Sequence, residues 1–298
     1  MGARHMVGRL GLPEPRALPG ALALTLVLAA LVGSLAAWAG WQTAEPLPSD
    51  EQAVAAAARA VPDQAGYELR RRDALFVYDY AGDGGVERAV RAVVGDDDYV
   101  PGYVEVTLPD RGNGPAGGWG RLAANFRADG WTVDRLPYSD DLVATRDDQV
   151  ATVTSEVRYD DAGEAQGRSH DDLVIRVHRT EPASVPWLTA AGALLGAVVG
   201  WLLAGWGYRR MRSRGPAARK AALLSRAGLL LLLPVTLVVL IEMVRVPLLS
   251  GVQLPQPAWD PYMLVFLRVP ALLGAVALLA AAALLAGPDR AAARVSVR

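Results

Sequence analysis

Four apolar segments, each long enough to cross a lipid bilayer, most constrain what this chain can fold into. They cover residues 17–41, 186–208, 227–244 and 262–286. A hydrocarbon core of about 30 Å requires about 20 consecutive apolar residues in a helix. Hydrophobic residues form 52% of the chain and charged residues only 20%, which disfavours two soluble domains. The sequence therefore predicts an α-helical membrane bundle of four transmembrane helices.

Basic residues predict how these helices are oriented, because short cytoplasmic loops are enriched in Lys and Arg. Loop 209–226 carries seven bases, which are Arg209, Arg210, Arg212, Arg214, Arg219, Lys220 and Arg226. The tails 1–16 and 287–298 are also basic, whereas 245–261 has only Arg245 at its start. We therefore expect a multi-pass protein of a bacterial plasma membrane, with both tails and loop 209–226 cytoplasmic and residues 42–185 and 245–261 outside.

The first apolar segment has an alternative interpretation as a cleaved signal peptide. Ala37-Trp38-Ala39 fits the small-x-small cleavage pattern. The length of the apolar run and the bulky Trp38 and Trp41 favour a retained helix. Both interpretations place the following segment outside the membrane.

Residues 42–185 are strongly acidic and, like the whole chain, lack cysteine. They contain 27 Asp and Glu against 15 Arg. Such a surface repels nucleic acid and anionic headgroups, so we expect no nucleic-acid partner. The absence of cysteine excludes disulfides, thiolate nucleophiles and cysteine-bound zinc or iron–sulfur sites.

The pattern within 42–185 predicts an extracytoplasmic α+β domain with a mainly antiparallel sheet. Ser49 and Gln52 form a capping box that opens a short Ala-rich helix, and Pro62 ends it. A second helix is predicted at 119–128, and strands are predicted at 67–80, 103–108, 131–133, 142–145, 150–157 and 173–178. Residues 86–94 fit either a helix or a strand. His178 is expected to be half-exposed, opposite the apolar face of its strand.

Small residues recur at every fourth position of the second span and predict a close helix contact. They are Gly192, Gly196, Gly200 and Ala204. Ala29, Gly33 and Ala37 offer a similar groove in the first span. We expect packing between these two helices, with a homo-oligomer through the second span as the alternative.

Two ionisable side chains in or near the last two spans form the candidate site within the membrane. Glu242 lies near the outer end of the third span, and Arg268 lies about two turns into the fourth. We predict that they form a charge pair or extend to interfacial water. An ion or proton path is the alternative.

Three motifs suggest chemistry, but their contexts favour ordinary loops. Residues 112–117 match G-x-G-x-x-G, yet Pro115 lacks an amide that would face a pyrophosphate. Ser169-His170-Asp171 holds the residue types of a hydrolase triad, but sequence neighbours cannot adopt the triad geometry. Paired acids at 96–98, 140–141, 147–148 and 160–161 match no calcium-loop spacing, which leaves weak divalent binding as an alternative. We therefore expect no catalytic residue, cofactor or metal site.

The layout, together with the bias toward Ala, Gly, Val, Arg and Asp, resembles actinobacterial-type multi-span integral membrane proteins with an extracytoplasmic domain after the first span. This resemblance implies no site and no activity. The leading hypothesis is a membrane-tethered interaction or sensing module, as a subunit of a cell-envelope assembly, with the lipid bilayer and an envelope protein as partners. The alternatives are a small transporter or channel component using Glu242 and Arg268, and an envelope hydrolase without identifiable catalytic residues.

Overall fold

The computed structural model describes residues 18–62, 66–78, 86, 90, 93–95, 99–109, 118–135, 141–147, 149–157, 171–212, 215–248 and 256–287. Six helices and six strands have defined bounds. The helices are α1 (Leu18–Trp41), α2 (Asp50–Ala60), α3 (Gly118–Ala128), α4 (Ser184–Arg212), α5 (Gly215–Leu248) and α6 (Val265–Ala286). The strands are β1 (Glu68–Tyr78), β2 (Tyr99–Leu108), β3 (Thr132–Arg135), β4 (Leu142–Arg146), β5 (Gln149–Val157) and β6 (Asp171–Arg179).

Helices α1, α4, α5 and α6 are long and apolar enough to cross a membrane. This composition is compatible with a multi-pass membrane protein. The four helices form two close pairs, α1 with α4 and α5 with α6. Apolar side chains of α1, α5 and α6 pack between the pairs, including Val27, Val235 and Ala271. These four helices are called the bundle below.

The six strands form one antiparallel sheet in the order β1-β2-β6-β5-β4-β3, which confirms the predicted antiparallel sheet. The sheet with α2 and α3 is called the sheet domain. Its core lies on one sheet face, where Ala57 of α2 and Phe126 of α3 pack with Val106 and Ile175. Alternation along the strands places every second side chain on this face.

Helix α2 begins at the predicted capping box. The Gln52 amide donates to Ser49 Oγ at 3.2 Å, and the Ser49 amide donates to Gln52 Oε1 at 2.9 Å. These bonds satisfy amides that the helix itself leaves unpaired. The local sequence therefore fixes where α2 starts, next to the chain segment that leaves α1.

Strand β2 begins at Tyr99, earlier than its pattern predicted. Tyr99 and Val100 pair with Tyr78 and Val77 of β1, across a register shift between Arg72 and Phe76. Gly102 lies against this irregularity, where a side chain would contact the Arg72 and Ala74 carbonyls. Pro101 and Gly102 obscure the strand pattern, and pairing with β1 extends the strand through them.

The second face of the central strands is buried around His178, so the prediction that this residue is half-exposed is wrong. The ring lies opposite the face of Ile175 and Val177, as expected, but it is only 3% exposed. Tyr103 and Val150 pair with it from the neighbouring strands, at 0% and 5% exposure. Central strands of this sheet are therefore covered on both sides.

Candidate functional site: the contact between the sheet domain and the bundle

Aromatic rings join the sheet domain to the bundle, and Phe76 of β1 lies at their centre. Its ring packs edge-on against Trp41, the last residue of α1, with centroids 4.9 Å apart. It packs in the same way against Trp259, which precedes α6, at 5.1 Å. Tyr99 stacks on Phe76 at 5.5 Å, and Tyr78 packs against Tyr99 at 5.1 Å. These five residues are called the aromatic interface.

The aromatic interface is largely buried. Trp41 is 0% exposed and Trp259 is 5% exposed. Each aromatic pair of this kind contributes about 0.5–1.5 kcal/mol beyond the area that it buries. Phe76 thus contacts residues at the ends of both helix pairs, and a shift of β1 would alter both of these contacts.

Two polar contacts complete the aromatic interface. Arg268 Nη1 of α6 donates a hydrogen bond of 2.9 Å to the Tyr78 hydroxyl. Trp259 Nε1 donates to the Tyr99 hydroxyl at 3.4 Å. Burial raises the pKa of Tyr99, and the bond from Trp259 opposes that shift only in part. The phenol therefore stays neutral at physiological pH.

Two arginines connect the segment after α1 to the irregular part of β1 by hydrogen bonds to backbone carbonyls. Arg179, at the end of β6, donates to the carbonyls of Glu45, Asp73 and Ala74 at 3.1, 3.1 and 3.2 Å. Arg71 of β1 donates to the Pro48 carbonyl at 2.9 Å. The planar guanidinium of Arg179 presents several donors in a fixed fork, which suits such a set of carbonyls.

In the structure, Glu242 and Arg268 each bind another residue. Glu242 pairs with Arg245, one turn further along α5, at 2.6 Å. Arg268 reaches Tyr78 of the sheet domain instead. Residues three apart on a helix are neighbours, so Arg245 meets Glu242 without any help from tertiary packing. The sequence analysis paired Glu242 across helices and overlooked this local partner.

Asp260 lies near Glu242, in the short 3₁₀ turn Asp260–Tyr262 that precedes α6. Burial, with a smaller contribution from the negative charge of Glu242, raises its pKa from 3.8 to about 6. The sequence analysis did not single this residue out. Its position between Trp259 and Tyr262 was the available sequence signal.

The small-residue face of α4 packs on α1. A methyl group at Gly192 would lie 2.5 Å from Ala36 Cβ, and one at Gly200 would lie 2.7 Å from Thr25 Cα. At Gly196 it would overlap the Leu28 carbonyl. Ala204 is partly exposed. The three glycines thus face α1 within one chain, as small residues do where helix backbones approach closely.

A second glycine contact joins α5 and α6, and the sequence analysis missed it. A methyl group on Gly228 would lie 2.8 Å from the Gly274 carbonyl oxygen, and a methyl group on Gly274 would lie 2.8 Å from the Gly228 carbonyl oxygen. Neither glycine belongs to a four-residue repeat of small residues. Only the pairing of the two helices reveals the contact.

A buried ion pair lies on the second face of the sheet. Arg176 Nε donates to Glu105 Oε2 at 2.7 Å, and their side chains are 19% and 10% exposed. The Arg176 guanidinium also lies over the Tyr103 ring at 5.4 Å. Thr152 Oγ1 is 3.2 Å from His178 Nε2 in the same face. A glutamate between Val104 and Val106 was the available sequence signal for this cluster.

The motifs weighed in the sequence fall mostly outside the described residues. Residues 112–117, Ser169, His170 and the paired acids at 96–98 and 160–161 all lie outside them. Asp172 belongs to β6 and is buried. Within the described ranges, no group of three His, Asp or Glu side chains is placed to hold a metal ion.

Comparisons with protein-family models, with curated proteins and with solved structures found no match. What the chain can do must therefore be inferred from its own contacts. The aromatic interface provides apolar packing, and Arg268 adds one guanidinium hydrogen bond to it. These groups suit a connection between two parts of the chain better than bond chemistry.

Proposed function

We propose that this chain is a multi-pass protein of a bacterial plasma membrane whose sheet domain lies outside the cytoplasm and acts as an interaction or sensing module. In this role, the sheet domain binds a protein of the cell envelope, and the bundle responds to that binding. The protein would then serve as a subunit of an envelope assembly. Acidity of residues 42–185 disfavours nucleic acid and anionic lipid as ligands of this domain.

The aromatic interface carries this proposal. A domain that was merely tethered would need no more than flexible linkers at its two ends. Instead, Phe76 contacts both Trp41 and Trp259, and Tyr78 accepts a hydrogen bond from Arg268 inside α6. A change in β1 would therefore alter contacts with both helix pairs at once.

Exposed aromatic and basic side chains support the membrane position. Trp38, Trp187 and Phe266 are exposed at the end of the bundle that meets the sheet domain. Trp206 is exposed toward the opposite end, where α4 ends, α5 begins and the sequence 209–226 carries seven bases. Aromatic residues concentrate at both interfaces of a membrane, and bases concentrate on its cytoplasmic side.

Cysteine labelling tests the proposed topology, because the chain has no cysteine of its own. Tyr67→Cys in the sheet domain and Lys220→Cys in α5 both replace exposed side chains. In intact cells, a membrane-impermeant maleimide should label the first variant and should label the second only after lysis. The reverse pattern would overturn the orientation.

Complementation of a deletion strain tests whether the sheet domain and the bundle are coupled through the aromatic interface. Phe76→Ala removes the central ring, and Leu69→Ala is a control on the same strand with an exposed side chain. In a deletion strain, Leu69→Ala should restore the wild-type phenotype, whereas Phe76→Ala should reach the membrane in normal amounts and fail to restore it. Full complementation by Phe76→Ala would refute coupling through the aromatic interface.

Transport through the bundle is the alternative function. Glu242 and Arg268 are engaged in the contacts described above, and the described space between α1, α5 and α6 is packed with apolar side chains. Glu242→Gln combined with Arg268→Leu should abolish a transport function. The hydrolase hypothesis still has no catalytic residues to test.

A further inference from the structure

Four valines between β1 and β2 present an apolar stripe to the surroundings. Val86, Val90, Val93 and Val94 have helical backbone conformation. Their exposed fractions are 81%, 54%, 58% and 37%. Spacings of four, three and one residues place these side chains on one side of a helix. The four residues are called the valine stripe.

The residue that follows the valine stripe touches the beginning of α6. Gly95 has a φ of +93° and lies so close to Met263 and Leu264 that a methyl group on it would be 3.0 Å from the Leu264 carbonyl carbon. Only glycine adopts this conformation easily and leaves room for that contact. The valine stripe thus ends at the level where α6 starts.

Other contacts at the same level fix this position. Tyr78 ends β1 and Tyr99 begins β2, and both belong to the aromatic interface. The chain therefore leaves the sheet and returns to it next to the end of the bundle. Phe266, in the first turn of α6, is 82% exposed at this end.

We propose that the valine stripe lies on the bilayer and inserts its side chains at the boundary between headgroups and acyl chains of the outer leaflet. The inference rests on the proposed function, because it requires α6 to cross a membrane. A helix with one apolar side and charges on the other lies in this boundary. In the sequence, Glu87 and Arg88 stand between Val86 and Val90, and Arg91 follows Val90.

Attachment of the valine stripe is apolar rather than electrostatic. Two of the three charges among the valines are basic, and Asp96, Asp97 and Asp98 follow Gly95 in the sequence. This net acidity provides no attraction to anionic headgroups. Contact with lipid should therefore persist at high ionic strength, unlike that of a polybasic segment. The sheet domain would then rest on the membrane through β1 and β2, the strands that carry the aromatic interface.

Spin labelling of the full-length chain tests this inference. Single cysteines replace Val90, Phe266 and Tyr67, in vesicles of mixed phosphatidylethanolamine and phosphatidylglycerol. All three side chains are exposed, and Tyr67 directly precedes β1, at the end of that strand far from the bundle. Collisions of a nitroxide with oxygen and with a water-soluble nickel chelate report lipid and water, respectively. The Val90 and Phe266 labels should favour oxygen, at low and at high salt, and the Tyr67 label should favour nickel.

The three labels separate failure of the inference from failure of its premise. If the Phe266 label favours oxygen while the Val90 label collides with nickel as often as the Tyr67 label does, the valine stripe faces water and the inference is refuted. A Val90 label shielded from both reagents would mean that protein covers the stripe, which also refutes it. A Phe266 label in water would instead overturn the membrane position of α6.

Discussion

Arg268 Nη1 and the Tyr78 hydroxyl form a hydrogen bond of 2.9 Å between positions that are 190 residues apart in the chain. One partner belongs to α6 of the bundle and the other ends β1 of the sheet domain. This bond, together with the ring contacts of Phe76, joins the sheet domain to the bundle.

A double-mutant cycle on Tyr78→Phe and Arg268→Met should reveal this bond. A hydrogen bond with a charged donor contributes about 1.5–3 kcal/mol, so the free energies of unfolding should show a coupling of that order. The measurement is reversible denaturation of the purified protein in mixed micelles. Tyr67→Phe, in place of Tyr78→Phe, provides a control cycle whose coupling should be zero; equal couplings in the two cycles would contradict the assignment.

Replacing Gly196 by alanine should loosen the contact between α1 and α4. The added methyl group meets the Leu28 carbonyl, so the two backbones must separate. Overpacking of this kind costs about 1–3 kcal/mol, which should lower the melting temperature in detergent. Gly20→Ala adds the same methyl group to α1 where no atom lies within 4 Å, and it should not lower the melting temperature. Unchanged stability of Gly196→Ala would argue against the close contact.

Asp260 should make the free energy of unfolding fall as the pH rises from about 4 to about 6. Its pKa is raised from 3.8 to about 6, mainly by burial, so the folded protein holds a proton that the unfolded chain releases. The stabilisation is complete below pH 3.8 and is lost as the pH rises through about 6. Thermal unfolding at a series of pH values should show this slope, and Asp260→Asn should flatten it. An identical slope in the variant would assign the effect to other groups.

Replacing Arg179 by methionine should release the segment that follows α1. The three carbonyls of Glu45, Asp73 and Ala74 lose their common donor, at about 1 kcal/mol for each bond. Hydrogen exchange followed by mass spectrometry should show faster exchange in residues 42–49 and around the irregular part of β1. Arg70→Met removes an exposed arginine from β1 and should leave both regions unchanged.

Glu105→Gln should destabilise the sheet domain far more than Asp73→Asn. The first change leaves Arg176 charged and largely buried without its carboxylate, which costs about 3–5 kcal/mol. The second removes the 2.7 Å pair with Arg71 at the surface, where Asp73 is 69% exposed and the expected cost is below about 1 kcal/mol. Chemical denaturation measures both; similar losses would mean that Glu105 is better solvated than its position suggests.

Features that depend on neighbouring residues were predictable from the sequence. The apolar runs indicated the four long helices, the Ser49 and Gln52 pattern indicated the start of α2, and alternation placed His178 on the correct face of β6. Each rests on a pattern within one element: an apolar run, a spacing of three residues or an alternation of two. Hydrogen bonding and burial within that element are enough to produce it.

Contacts between distant elements were decided only by the tertiary structure. Arg268 meets Tyr78 rather than Glu242, His178 is covered rather than half-exposed, and Phe76 brings Trp41 and Trp259 together. Which side chains meet depends on how the sheet twists, where β1 shifts register and how closely glycines let the helices approach. A periodic pattern records which face of an element is apolar. The packing of the whole chain determines what that face touches.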